Sequence, residues 1–159
     1  MNSGDTSNLE TELDNRKQPI FMKPGHCAGD LVEASQWKIL AEEPGRVELD
    51  VHLPAQLLNP RGQLFGGFTG TYVDMVSLYT VRTLFRGEAG FTWASTINMR
   101  IDYLQPVTGP RFRLTGELIS DGRTTSLVAT TFHDQAGEKL VYAITTLRKF
   151  AGEKASGSD

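Results

Sequence analysis

The stretch GGFTGTYVDMVSLYTVRTLF, residues 66–85, is the part of the chain that decides the fold. Several of its side chains recur at helical spacing and fall on one face, namely Phe68, Tyr72, Met75, Val76, Tyr79 and Thr83. Because threonine and valine are numerous here and are weak helix formers, propensity alone does not secure a helix. The periodicity and the preceding glycine pair nevertheless predict one long helix from Phe68 to Phe85.

Strand patterns flank this helix on both sides. Apolar and polar residues alternate from Arg46 to Leu53, as in a half-buried strand. A strand over Trp37–Leu40 precedes it across a turn at Pro44-Gly45, and a short helical turn is expected at Ala55–Leu58. Four further strands are predicted over Phe91–Gln105, bent or bulged near its middle, and over Phe112–Ile119, Thr124–His133 and Lys139–Phe150. Since one helix cannot cover both faces of a wide sheet, the expected fold is α+β, a curved antiparallel sheet wrapped around one long central helix.

Composition excludes several classes of protein. The chain has 159 residues, 39% of them hydrophobic and 22% charged, which is typical of a soluble globular domain. Its 19 acidic and 16 basic residues give a net charge of -3, which argues against nucleic-acid binding. A single cysteine allows no intrachain disulfide, and the three histidines show no metal-ligand spacing, so no metal site is expected.

Hydropathy and the chain ends complete this outline. No uninterrupted apolar run approaches the roughly 20 residues of a membrane-spanning helix, so no membrane partner is expected. The first residues lack the apolar core of a signal peptide, which favours the cytoplasm. Polar composition predicts flexible tails over residues 1–34 and 151–159, with one folded domain over residues 35–150 between them.

The candidate chemistry lies at the start of the long helix. Gly66 and Gly67 open it, and Asp74 follows two turns later on a narrow stripe of small residues. The first N–H groups of a helix lack intrahelical partners, and the dipole there is positive. Glycines let a ligand oxygen approach these amides, which suits a carbonyl that becomes negative during a reaction. The alternative for Asp74 is a solvated carboxylate on the polar face of the helix.

The separation of these groups has a consequence for assembly. Gly66 and Asp74 are eight residues apart, which corresponds to roughly 12 Å along a helix axis at about 1.5 Å per residue. An aspartate side chain cannot reach a carbonyl that is held at the start of its own helix. If both groups act on one substrate atom, Asp74 comes from a second, antiparallel copy, and the site needs at least a homodimer.

These residues resemble the motif of a known family. Asn59 lies upstream of the glycine pair, Asp74 lies along the helix, and the stretch INMRIDYLQPVTG, residues 97–109, matches the family's strand leading into a Pro…Gly turn. The resemblance, over roughly residues 36–150, is to the hotdog-fold acyl-CoA thioesterases, in the branch typified by the phenylacetate-pathway enzyme and thioesterase superfamily member 2. It implies a hydrolase that splits an acyl-CoA thioester to free acid and coenzyme A. No cofactor is expected, because coenzyme A is part of the substrate.

The resemblance also implies roles for individual residues. The N–H of Gly66, with that of Gly67, polarises the thioester carbonyl, and Asp74 acts as general base or as nucleophile. Asn59 holds the attacking water or the thioester, and Thr92 positions the same water. The alternatives are an ordinary Asn-Pro turn for Asn59 and an ordinary strand position for Thr92.

One position departs from the family, because Phe65 stands where its members carry a histidine before the glycine pair. The backbone donors do not depend on that side chain, but the hydrogen bond of the histidine is lost, and a phenyl ring can line an acyl pocket instead. For the phosphates of coenzyme A the resemblance points to Arg123 and Thr124 in a turn, with Arg100 and Arg148 as further candidates. Exposed arginines at strand ends are otherwise simply solvated.

The sequence thus predicts an acyl-CoA thioesterase that is a homodimer at minimum and, by the resemblance, a homotetramer of paired dimers. A non-catalytic acyl-CoA-binding sensor or carrier is the alternative, which the loss of the histidine favours and the presence of Asn59, Asp74 and Thr92 opposes. A hydratase of the same fold is disfavoured, because Tyr79 stands where one branch carries a histidine. A nucleophile pair of Cys27 with its neighbour His26 is disfavoured too, since sequence neighbours on a tail rarely hold the geometry it needs.

Overall fold

The computed structural model describes residues 21–86 and 91–151, so the outer parts of the two predicted tails lie outside it. In chain order the helices and strands are α1 (Cys27–Leu31), β1 (Lys38–Glu43), β2 (Arg46–His52), α2 (Gly66–Arg82), β3 (Phe91–Tyr103), β4 (Arg111–Asp121), β5 (Thr125–His133) and β6 (Lys139–Ala151). Short 3-10 turns lie at Ala34–Gln36, Ala55–Leu57 and Thr83–Phe85.

The six strands form one antiparallel sheet in the order β1-β2-β4-β5-β6-β3. The long helix α2 packs against β2, β3, β4, β5 and β6. Among the strands that the structure describes, β3 pairs with β6 alone and is therefore an edge strand. The arrangement confirms the predicted α+β fold, in which a curved antiparallel sheet wraps one long central helix.

Burial along β2 follows the alternation seen in the sequence. Val47, Leu49 and Val51 are fully buried, while the residues between them are half-buried. On the helix, Tyr72 stacks on Trp37 with ring centroids 5.4 Å apart and meets phenylalanines of β4 and β5 edge to face. Burying a large apolar side chain contributes about 1.5–3 kcal/mol, so this contact surface holds α2 against the sheet.

The start of α2 lies earlier than the sequence pattern predicts. The helix begins at Gly66 and not at Phe68, and its last turn tightens into the 3-10 turn at Thr83–Phe85. Phe65 has an extended backbone (φ -63°, ψ 124°) and provides the N-cap. The glycine pair therefore forms part of the first helical turn itself.

β3 is irregular at two places. Its pairing with β6 shifts register between Phe91 and Trp93 and again between Thr96 and Asn98. The second shift confirms the irregularity predicted near the middle of this strand. A bulge inserts one residue and so shifts the inward–outward alternation of the side chains. Ile97, the inserted residue, is accordingly 58% exposed.

Residues 21–34 fall in the predicted N-terminal tail, and the structure corrects that expectation for them. Phe21 is 6% exposed and Val32 is fully buried. The Phe21 ring lies 4.9 Å from the ring of Trp37 and 4.4 Å from that of Tyr79. Isolated apolar residues form no periodic pattern, so their burial cannot be predicted from the sequence, although tertiary packing buries them.

Gly116 on β4 faces α2 with no room for a side chain. A β-carbon there would overlap Thr80 Oγ1 and lie 2.9 Å from Val76 Cγ1. We expect Gly116→Ala to lower the free energy of unfolding by about 1–3 kcal/mol, as measured by urea denaturation. The matched control is Thr115→Ser on the outer face, which should change it by less than about 0.5 kcal/mol. Native stability in Gly116→Ala would contradict this packing.

Candidate active site

The first turn of α2 presents backbone N–H groups that no side chain in the described part of the chain caps. Phe65 provides the N-cap but carries no capping oxygen, and Gly66 and Gly67 follow it, both exposed. The N–H groups of a first turn have no intrahelical acceptor, and the helix dipole is positive there. This end of α2 can therefore bind an oxygen that carries partial negative charge.

Two aromatic rings flank the glycine pair. Cε1 of Phe65 lies 2.8 Å from the position of a β-carbon on Gly67, and Cε1 of Tyr103 lies 3.7 Å from that of a β-carbon on Gly66. The Tyr103 hydroxyl also donates a 2.9 Å hydrogen bond to the Gly66 carbonyl oxygen. Both rings are more than half exposed, so they form walls beside the helix start and not parts of the core.

A cavity of about 350 Å³ opens at this end of the helix. Gly66 and Asn59 both line it, so the structure brings these two predicted site residues together. Tyr103, Leu64 and Val107 also contribute to its walls. Polar and apolar groups therefore meet beside an uncapped helix start, as a ligand with a carbonyl group and an apolar part requires.

Asn59 orders the turn that precedes α2. Its Oδ1 accepts hydrogen bonds from the backbone N–H groups of Arg61 (2.9 Å) and Gln63 (3.1 Å), and its Nδ2 donates to Gln63 Oε1 at 3.4 Å. The turn role that stood as the alternative for Asn59 is therefore present. A side-chain amide carries two N–H donors, so one of them is left for a ligand in the cavity.

Asp74 is half-buried on α2 and is bound from β3. The hydroxyl of Thr96 donates to Asp74 Oδ1 at 2.5 Å. Among the side chains that the structure describes in residues 21–86 and 93–150, none donates to Oδ2 of this carboxylate. Asp74 is thus an oriented carboxylate with one oxygen that none of these side chains binds. It does not line the cavity beside Gly66.

Thr96 is a residue of this site that the sequence pattern did not single out. The family spacing pointed to Thr92, but that count crosses the connection between α2 and β3, whose length the pattern does not fix. Thr92 lies at the first irregularity of β3, and its side chain is outside the described part of the chain. Met99 faces α2, and regular alternation along β3 from that residue would turn Thr96 away from the helix. The bulge at Ile97 shifts the alternation, so Thr96 faces α2 as well.

The residues predicted to bind coenzyme A phosphates stand apart from the cavity. Arg123 and Thr124 are exposed in the connection between β4 and β5 and do not line it. Arg100 pairs with Asp102 at 3.0 Å, and Arg148 lies 5.5 Å from the centre of an aromatic ring. Within a single chain these arginines are therefore not part of the site at the helix start.

Several titratable side chains have shifted pKa values, and they serve the fold. Burial, together with the hydrogen bond to Glu42, raises the pKa of Tyr79 to about 12. Burial also raises the pKa of Tyr72. Burial, together with the charge of Lys139, lowers the pKa of His133. None of these three side chains lines the cavity at the start of α2.

Among residues 21–86 and 91–151, no three His, Cys, Asp or Glu side chains lie close enough together to hold a metal ion. In the same two ranges, no helix is both long and apolar enough to cross a membrane.

The fold and the site together define the class. The family model described as the thioesterase superfamily matches residues 61–141, from the turn before α2 into β6. The match includes the glycine pair, Asp74 and Thr96. The chain belongs to the thioesterase superfamily and is a thioester hydrolase.

Known proteins are similar to this chain over most of the domain. Human acyl-coenzyme A thioesterase 13 is 26% identical over 104 residues, which make up 65% of this chain and 71% of the human one. A Streptococcus mutans protein solved with acetyl CoA bound is 25% identical, with a TM-score of 0.66 over 75% of this chain and 92% of the other. Zebrafish thioesterase superfamily member 2 is 27% identical, with a TM-score of 0.66 over 81% and 89%. These similarities confirm the hotdog fold.

Proposed function

We propose that this thioesterase hydrolyses acyl-CoA thioesters to a free acid and coenzyme A. The human relative is named for that activity, and the Streptococcus mutans protein was solved with acetyl CoA bound. The observation that carries the proposal is the uncapped start of α2, where Gly66 borders a cavity that also takes in Asn59. A thioester carbonyl seated there meets donors for the negative charge that it gains.

The donors are the N–H of Gly66, with that of Gly67, and the remaining N–H of Asn59. Fixed dipoles of this kind stabilise the oxyanion, and the loss of one donor typically lowers kcat by about 10²–10³-fold. Phe65 replaces the histidine of the family without removing any of these donors. Its exposed ring lies against Gly67 and, in this proposal, contacts the acyl group.

Asp74 acts on the attacking water. As general base it takes a proton from water while the water oxygen bonds to the carbonyl carbon; the C–S bond then breaks, and the proton passes to the coenzyme A thiolate. As nucleophile, the carboxylate itself bonds to that carbon, the C–S bond breaks with coenzyme A leaving as thiolate, and water then opens the resulting anhydride to give the free acid and the carboxylate of Asp74, one proton passing to the thiolate. Because Thr96 occupies Oδ1, Oδ2 is the reacting oxygen in either case. Thr92 remains proposed as a further group that positions the water.

A second copy of the chain supplies Asp74 to each site. Gly66 and Asp74 are roughly 12 Å apart along α2 and do not share a cavity in one chain. Thr96 lies on β3, and the outer edge of this strand is not paired with any strand that the structure describes. Pairing of two such edges about a two-fold axis sets the two α2 helices antiparallel in a homodimer.

The proposal includes two further features of the assembly. Trp93 and Phe150, a cross-strand pair that is 60% and 42% exposed, offer an apolar contact for pairing dimers into a homotetramer. Arg123 and Thr124 contact the coenzyme A phosphates from a neighbouring copy, since they lie away from the cavity of their own chain. The location in the cytoplasm stays a prediction.

A panel of acyl-CoA thioesters tests this function, with thiol release as the readout. The panel runs from acetyl to long-chain and aryl thioesters, and turnover of at least one member is expected. Saturable binding without turnover of any member would favour the sensor or carrier alternative. If the chain neither binds nor turns over any member of the panel, both the proposed function and the sensor or carrier alternative are wrong.

We expect Thr96→Val to lower kcat about tenfold, because the carboxylate of Asp74 loses the hydroxyl that orients it. Thr96→Ser keeps the donor and should retain most of the native kcat. Thr146→Val changes a half-buried threonine on the neighbouring strand β6 and serves as the matched control. Native kcat in Thr96→Val, measured by thiol release, would show that the hydroxyl plays no part.

A further inference from the structure

Tyr103 ends β3 at the start of α2, and its side chain contacts the first residue of that helix. Its hydroxyl donates to the Gly66 carbonyl oxygen at 2.9 Å, and its ring lies beside the α-carbon of the same residue. The side chain is 58% exposed, so it contributes little to the core. The contact is therefore directed at the helix start and is not a by-product of core packing.

The bonded carbonyl belongs to a particular peptide group. The planar amide that contains the Gly66 carbonyl also contains the N–H of Gly67, which points the opposite way. A hydrogen bond to the oxygen therefore fixes the direction of that N–H. It also polarises the amide, and polarised amides donate more strongly.

Side chains of β3 thus contact both groups of α2 that are proposed to take part in the reaction. Thr96 binds the carboxylate of Asp74, and Tyr103 binds the peptide group that carries the Gly67 donor. The two contacts lie on opposite sides of the bulge at Ile97. One strand sets the orientation of the base and of a donor that act on the same reaction from two copies.

We propose that Tyr103 is a positioning residue that orients and polarises the Gly66–Gly67 peptide group, so that the Gly67 N–H is an active donor to the thioester carbonyl. This inference rests on the proposed function. It predicts that the hydroxyl of Tyr103 matters for the chemical step and not for binding, because the charge on the oxygen develops in the transition state.

Tyr103→Phe tests the proposal, because it keeps the ring and removes only the donor. We expect kcat to fall about fivefold to tenfold with KM changed by less than about twofold. Tyr142→Phe is the matched control, since Tyr142 is a half-buried tyrosine of β6 next to Lys139. It should leave both constants at the native values. Native kcat in Tyr103→Phe, or a change confined to KM, would overturn the proposal.

A second measurement needs no substrate. In the free protein, the amide proton resonance of Gly67 should move upfield in Tyr103→Phe, because a less polarised N–H is less deshielded, and should not move in Tyr142→Phe. An unmoved Gly67 resonance overturns the proposal whatever the kinetics. A native chain that turns over no acyl-CoA contradicts the proposed function instead, and the resonance then still decides whether the hydroxyl orders this peptide group.

Discussion

Replacing Asp74 by asparagine is expected to lower kcat by about 10²–10⁴-fold while the chain stays folded. The amide has nearly the same shape as the carboxylate, and its oxygen still accepts the hydrogen bond from Thr96. It takes no proton from water, however, and it is no nucleophile. Thiol release from the best acyl-CoA thioester gives kcat, and thermal unfolding checks the fold.

Asp102→Asn provides the matched control for this loss of charge. Asp102 is a half-buried aspartate of β3 that pairs with Arg100 at 3.0 Å, and its replacement should leave kcat within about twofold of the native value. An Asp74→Asn variant as active as the native chain would remove Asp74 from the mechanism. One turnover in oxygen-18-labelled water separates the two roles: a base gives labelled acid at once, whereas a nucleophile whose anhydride opens at the aspartyl carbon leaves the label in the enzyme.

An equal mixture of two inactive variants is expected to restore about a quarter of the native activity through its mixed dimers. Gly66→Pro removes an N–H donor, and proline suits the first position of a helix. The extended backbone of Phe65 is compatible with a following proline. If each site takes Gly66 from one copy and Asp74 from the other, a dimer of Gly66→Pro with Asp74→Asn has one intact site and one doubly altered site.

Co-refolding the two variants at equal concentration, followed by a thiol-release assay, measures this effect. Random pairing makes about half of the dimers mixed, and each mixed dimer carries one working site of two. Refolding the native chain with an equal amount of the double variant Gly66→Pro/Asp74→Asn is the control: its mixed dimers have no intact site, so only the wholly native dimers remain active, about a quarter of the total. Sites contained within single chains would leave about half of the activity. A mixture no more active than either variant alone would place the whole site within one chain.

The secondary structure was predictable where apolar residues recur at a regular spacing in the sequence. Alternation in β2 and helical spacing in α2 placed both elements within a few residues of their observed bounds. The segment over residues 21–34 has no period, and Phe21 and Val32 reach the core as single side chains. Their burial depends on tertiary packing, which no local pattern encodes.

The same division holds for the candidate site. Gly66, Gly67 and Asp74 lie on one helix, so their spacing in the sequence translates directly into positions in space. Thr96 reaches Asp74 across the gap between sheet and helix, from a strand whose bulge reverses the expected alternation. Tyr103 likewise meets Gly66 only because β3 ends where α2 begins. Contacts of this kind, between two secondary-structure elements, follow from the fold and cannot be predicted from residue spacing in the sequence.

The ring of Phe65 couples substitutions at position 65 to substitutions at position 67. A β-carbon on Gly67 would lie 2.8 Å from Cε1 of that ring, so a side chain at position 67 requires the exposed ring to move. Substitutions at the two positions are therefore non-additive, because they share this contact. A side chain at position 67 is therefore expected to cost less where residue 65 is small, and the backbone N–H donor of residue 67 is kept by every substitution except proline.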